Sequence, residues 1–122
     1  MVLASPEPQK ETNHVGHRAF KDIVALIEES ALTDTVKKRS LNIFWKIAGA
    51  EAKVHGHPIE DVRFHEVGAI DSIVDIVGAA ICLEYFDVDQ IFSSPVQVGG
   101  GYVQCAHGVL PVPAPATVEI LK

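Results

Sequence analysis

Residues 64 to 78, FHEVGAIDSIVDIVG, set an imidazole and three carboxylates (His65, Glu66, Asp71 and Asp75) inside a run of Phe, Val, Ile, Ala and Gly. Ionised groups withdrawn from water are costly unless they are paired, so residues of these types in this setting call for a partner. On a helix, successive residues advance about 100°, and Asp71, Asp75, Gly78 and Cys82 then fall within roughly 60° of one another. They form a narrow polar stripe on a cylinder whose other residues suit a core. Carboxylates at i and i+4 repel, and Gly78 leaves room beside Asp75. Such a stripe suits a cation: a metal ion, an arginine or the N-terminus of a helix. Capping is the plainer alternative, with Asp71 at the helix start and Asp75 near the positive end of the dipole. Capping leaves His65 and Glu66 without a role.

The chain has six histidines and two cysteines. His55-x-His57 and Cys105-x-His107 each place two donors close in sequence. Imidazole and thiolate suit Zn, Ni, Cu or Fe, whereas carboxylates alone suit Mg or Mn. Neither pair matches a structural zinc pattern, and each histidine taken singly is more ordinary as a surface or hydrogen-bonded residue. His14 and His17 could serve only as a loose capture site. Cys82 reads most simply as a small core residue. No phosphate-binding Gly-x-x-x-x-Gly-Lys loop and no Gly-x-Ser-x-Gly elbow occurs. Gly99-Gly100-Gly101 could form an anion nest, but a hairpin turn is the simpler expectation.

The elements that must position these residues follow from periodicity and terminators. Residues 1–16, polar and with two prolines, read as a linker or disordered terminus. Phe20, Ile23, Val24 and Ile27 predict a helix from His17 to about Ser30. Thr33 is a plausible N-cap for a second helix reaching about Val54, stopped by His55-Gly56-His57-Pro58. A third helix is expected from about Ile70 to Phe86. Residues 90–98 read as a strand, with Pro95 confining it to an edge, and 102–107 is expected to pair back on it. Pro115 suits the first turn of a final helix. The expected class is α+β: three main helices and a short β hairpin, cut from something larger.

The chain has 122 residues, 48% hydrophobic and 21% charged, which is a globular composition for one domain or part of one. A net charge of −6 argues against a nucleic-acid partner, whose binders show a basic face. Lys37-Lys38-Arg39 fits a solvated helix face. No apolar run is long enough to span a bilayer, and no signal peptide is visible. The two cysteines make no disulfide framework, so a cytoplasmic location is expected.

Two blocks, VRFHEVGAIDSIVDIVGAA and CAHGVLPVPAPATVEIL, resemble the LarC family, the nickel insertion proteins of nickel-pincer nucleotide cofactor biosynthesis. The likeness runs from about His17 to the C-terminus and includes VHGHPIEDVRFHEVGA and DIVALIEESAL. It implies a CTP-dependent, lyase-type nickel chelatase (a cyclometallase). Such an enzyme places Ni²⁺ into a pyridinium bisthiocarboxylate mononucleotide through two Ni–S bonds and one Ni–C bond. The product serves lactate racemase-type enzymes. Nickel is the substrate metal, and CTP with Mn or Mg is implied but bound outside this chain.

Carried onto matching positions, the resemblance picks out His65, Glu66, Asp71, Ser72 and Asp75 in the first block and His107, Gly108 and Thr117 in the second. Polar groups clustered in apolar sequence then lead us to expect His65 and His107 as metal contacts, joined by the spaced pair His55 and His57. Glu66 is expected as a metal or substrate contact or catalytic group, and Asp75 as a base or as orienting a ligand. Asp71, Ser72, Gly108 and Thr117 are expected on the side of the mononucleotide. Pro111, Pro113 and Pro115 also match. The family's opening Gly-Ile-Ser-Gly-Asp-Met-type segment and its C-terminal CTP-binding portion have no counterpart here. Residues 17–122 are therefore expected to be the central part of an insertion domain, inactive alone. The expected partners are the mononucleotide and the missing N- and C-terminal parts; a homo-oligomer stays open. Two other classes compete: a non-catalytic oligomerisation or interaction module whose acidic stripe meets an arginine, and a divalent-metal hydrolase with a water-activating site.

Overall fold

A computed structural model of the chain describes residues 18–64, 70–105 and 108–122. The longest element is a helix over Asp34–His55, labelled α2 because a shorter helix, α1 (Phe20–Glu28), precedes it. Thr33 caps α2 as its sequence suggests: its backbone is extended and its Oγ1 accepts the Val36 N–H at 3.3 Å. Caps of this kind contribute about 1 kcal/mol. Gly56 ends the helix in the left-handed region at φ 68°, where a side chain is disfavoured, and donates its N–H to the Ala52 carbonyl.

The first helix begins three residues later than periodicity predicts. Arg18–Ala19 instead form β1, antiparallel to β2 (Arg63–Phe64), with Arg18 opposite Phe64 and Ala19 opposite Arg63. The Asp22 carboxylate accepts the Ala19 N–H at 3.0 Å, and the Phe20 N–H reaches the Val62 carbonyl at 3.0 Å. A short 3₁₀ turn, Ile59–Asp61, carries the chain from α2 into β2.

Between these elements lies the core: Phe20, Ile23 and Ile27 from α1, Phe44, Ala48 and Ala52 from α2, then Val62 and Phe64, with Ile73 closing one side. The Phe20 and Phe64 rings meet nearly at right angles at 6.3 Å, and Phe44 lies 6.3 Å from Phe64. The half-exposed Trp45 sets an edge against Phe20 at 5.0 Å. Edge-to-face rings at such spacings add to the burial of their apolar area.

The third helix, α3 (Ile70–Tyr85), packs on α2 with its end beside the start of that helix. Thr33 Oγ1 donates to the Glu84 carboxylate at 2.7 and 2.9 Å, so one hydroxyl caps α2 and also tethers α3. The expectation that α3 is a core helix is corrected here. Only Ile73 and Ala80 are fully buried, whereas Ile70 and Val74 are 65% and 61% exposed. The helix meets α2 on one side, and among the described residues nothing covers its outer side.

The β hairpin also differs from expectation. Residues 90–98 form no strand; the hairpin pairs β3 (Tyr102–Cys105) with β4 (Gly108–Pro111), Tyr102 opposite Pro111 and Cys105 opposite Gly108. The nearer partner wins because a two-residue connection is the commonest hairpin link and costs least closure entropy. The triple glycine therefore leads into the hairpin and does not turn it. Gly99 and Gly101 take positive φ there, and the Gly101 carbonyl accepts the Val112 N–H at 2.9 Å.

A final helix, α4 (Pro115–Ile120), starts with proline in its first turn as expected. It packs on α2, where Glu119 pairs with Lys53 and, at 3.0 Å, with Lys122. The hydrogen bond from Lys53, then that from Lys122, holds the Glu119 carboxyl below its ordinary range. A lowered folded-state pKa contributes stability above the unfolded value, about 4.3 for glutamate. That contribution is lost as pH falls through the folded value. The acid-side fall in Tm is thus expected to be shallower in Glu119→Gln than in the parent, with the difference confined to pH below about 4.3. Parallel Tm profiles would remove Glu119 from the acid response. The architecture is α+β, as the sequence suggests. Among the described residues, no helix is long and apolar enough to cross a membrane.

Candidate functional site

Asp71 is the second residue of α3, and its Oδ1 accepts the Ser72 N–H at 2.9 Å. That contact satisfies one of the N–H groups left free at a helix start, in line with the plainer role weighed for this residue. Asp75 lies one turn on and is exposed. A Cβ built on Gly78 meets no atom within 4 Å, and Cys82 is an exposed free thiol. The stripe exists, but it faces outward. Its carboxylates lie in water and do not bear the desolvation cost that a core helix would impose. Among the described residues, no ion pair forms to Asp71 or Asp75.

The histidine pair at the end of α2 is exposed as well. His55 Nε2 lies 3.3 Å from the Glu51 carboxylate one turn earlier, and the His57 N–H donates to the Ala52 carbonyl at 3.1 Å. Ser72 is half-buried on α3, Gly108 begins β4 at φ 96°, and Thr117 is an exposed residue of α4. His65, Glu66 and His107 lie outside the described residues, as does the linker read over residues 1–16. Phe64, directly before His65, is buried in the core at the end of β2, so the chain reaches that motif from a fixed point.

Among the described residues, no three His, Cys, Asp or Glu side chains come together as a metal site. Among the described residues, the structure therefore adds no donor cluster that sequence reasoning missed. A shallow groove over α1 and α2, lined by Glu28, Asp34, Lys37, Lys38, Asn42 and Trp45, contains none of the candidate residues. What the fold does supply is a helix start, at α3, carrying Asp71, Ser72 and Asp75 directly after the His65-Glu66 motif in sequence.

The family model described as nickel insertion protein matches residues 2–122, almost the whole chain. The chain belongs to that family. It is 68% identical over 103 residues to the pyridinium-3,5-bisthiocarboxylic acid mononucleotide nickel insertion protein of Clostridium acetobutylicum, covering 84% of this chain and 24% of the relative. The Acetivibrio thermocellus protein of the same name is 56% identical over 123 residues, covering 99% and 30%. A putative nickel insertion protein of Dictyoglomus thermophilum is 50% identical over 110 residues, covering 90% and 28%. The chain thus spans 24% to 30% of the length of these curated relatives. No solved structure matches it.

Proposed function

We propose that residues 17–122 are the central part of an enzyme that inserts Ni²⁺ into a pyridinium bisthiocarboxylate mononucleotide in a CTP-dependent, lyase-type cyclometallation. The observation that carries this reading is the family match over residues 2–122, which includes every candidate histidine and carboxylate named above. The finished complex serves lactate racemase-type enzymes, and the work is done in the cytoplasm.

The chemistry sets the demands. A delivery site must hold nickel and then release it, so imidazole and carboxylate donors suit it better than a closed thiolate cage. His65 and His107 are assigned as nickel contacts, with His55 and His57 as accessory donors on the exposed end of α2. The two sulfurs reach the metal as thiocarboxylate anions. Forming the Ni–C bond breaks a ring C–H bond, and the proton must pass to a base. Glu66 or Asp75 takes it; Asp75 is exposed and borders the open space at Gly78, which supports that role. Asp71, Ser72, Gly108 and Thr117 contact the mononucleotide. CTP with Mn or Mg acts through portions of the family's chain that lie outside these residues, so this chain alone is inactive.

The test is a chimera. The matched stretch of the Clostridium acetobutylicum protein is replaced by that of this chain and given mononucleotide, Ni²⁺, CTP and Mg²⁺. Mass spectrometry is expected to find nickel in the mononucleotide with the chimera and none with the 122-residue chain alone. A folded chimera that inserts no nickel would remove this stretch from the insertion reaction.

A further inference from the structure

We propose that the Ile70–Val74 side of α3 and residues 86–103 form a docking surface for the polypeptide that the longer relatives carry outside the matched stretch, with residues 90–98 adding as an edge strand to a sheet in that polypeptide. Three observations lead there. The first is apolar exposure on consecutive elements. Ile70 and Val74 on α3 are 65% and 61% exposed, Ile91 and Phe92 are 72% and 87% exposed, and Tyr102 on β3 is 80% exposed. Soluble monomers rarely leave large apolar patches bare, and those that persist mark interaction sites.

The second is backbone chemistry. Residues 89–100 make no backbone–backbone hydrogen bond among the described residues, and of their backbone groups the Ser94 carbonyl accepts the neighbouring Ser93 hydroxyl at 2.8 Å. The sequence QIFSSPVQV nonetheless has the β-branched and aromatic content of a strand. Unpaired N–H and C=O groups in an extended segment are a template for pairing with another chain, and strand addition is a recurrent way to use them. Pro95 permits such a strand at an edge. The absence of a strand at 90–98 then has a cause: its partner lies outside these residues. The neighbouring hairpin fits the same account, since a two-stranded ribbon is marginal alone.

The third identifies the occupant. The curated relatives match this chain over 24% to 30% of their own length, so each carries more than twice as much polypeptide outside the match. A second copy fits less well. It would bring two chains of net charge −6 together.

Hydrogen exchange tests this without reference to nickel. Amides of residues 90–98 are compared in the 122-residue chain and, at the matched positions, in the full-length Acetivibrio thermocellus protein. In the chain they are expected to exchange at close to the free-peptide rate at every concentration. In the relative they are expected to be slowed at least about tenfold, as for paired backbone. Equally fast exchange in both proteins would overturn the proposal. So would protection in the chain alone that rises with its concentration, which would give the surface to a second copy.

Discussion

Phe44→Ala is expected to lower the unfolding free energy by about 3–5 kcal/mol, the largest stability effect of any single substitution proposed for this chain. Phe44 is fully buried, in the half of α2 that faces α1, and packs against Phe64 at the end of β2. Its loss removes apolar transfer energy and leaves a cavity between helices that cannot readily close, because α1 is held by the Phe20–Val62 hydrogen bond and the β1–β2 pair. Small domains have only about 5–15 kcal/mol in total, so the variant should sit near the edge of folding. The measurement is a urea melt followed by the fluorescence of Trp45, the single tryptophan, which packs on Phe20 at the edge of that core. Phe92→Ala is the matched control: the same side chain is 87% exposed there, and its removal should change stability by no more than about 0.5 kcal/mol. Equal losses from the two substitutions would mean that the core has been placed in the wrong part of the chain.

That contrast also shows what was legible in the sequence. Helices α1 and α2 were readable because their signals are local. Phe20, Ile23 and Ile27 repeat at helical steps, Thr33 and Gly56 punctuate α2, and Pro115 opens α4. Each of these acts within a turn or two of its own position. Burial of α3 was not readable, because it depends on what packs against the helix. Ile70, Val74 and Ile81 look like core residues, yet here they face outward. The sequence pattern is the same whether the covering layer is present or supplied by other polypeptide. The strand at 90–98 failed for a related reason: pairing is a property of two segments. β1 and β2 were missed because two-residue strands carry no periodic signal.

The candidate site divides along the same line. The motif His65-Glu66 followed by Asp71 and Asp75 was visible as chemistry in unexpected company, and α3 does begin where the stripe requires. The inference from buried charge did not survive. Asp71 and Asp75 are solvated, so their presence is not explained by a desolvated partner. On the proposed reading, that exposure suits a mononucleotide and a metal that approach from outside. The assignment of His65 and His107 therefore rests on the family and on ligand chemistry, and it can be tested separately from the acid–base role.

Ni²⁺ titration is expected to separate these roles. His65→Ala and His107→Ala should each weaken Ni²⁺ binding by about 10- to 100-fold or more, since outer-shell partners alone are worth that much. His55→Ala should cost less, because that imidazole already lies against Glu51. Asp75→Asn should leave nickel affinity nearly unchanged while slowing insertion in the chimera by about 10²–10⁴-fold, the usual contribution of a positioned base. Asparagine keeps the shape of the side chain and removes its basicity, so a loss in rate without a loss in affinity reports proton transfer and not binding. Asp71→Asn should show a smaller loss, because its amide oxygen can still accept the Ser72 N–H. Wild-type affinity in His65→Ala would discard the ligand assignment. A normal insertion rate in Asp75→Asn would shift the base to Glu66, which follows His65 directly and offers the same carboxylate at the other end of the motif.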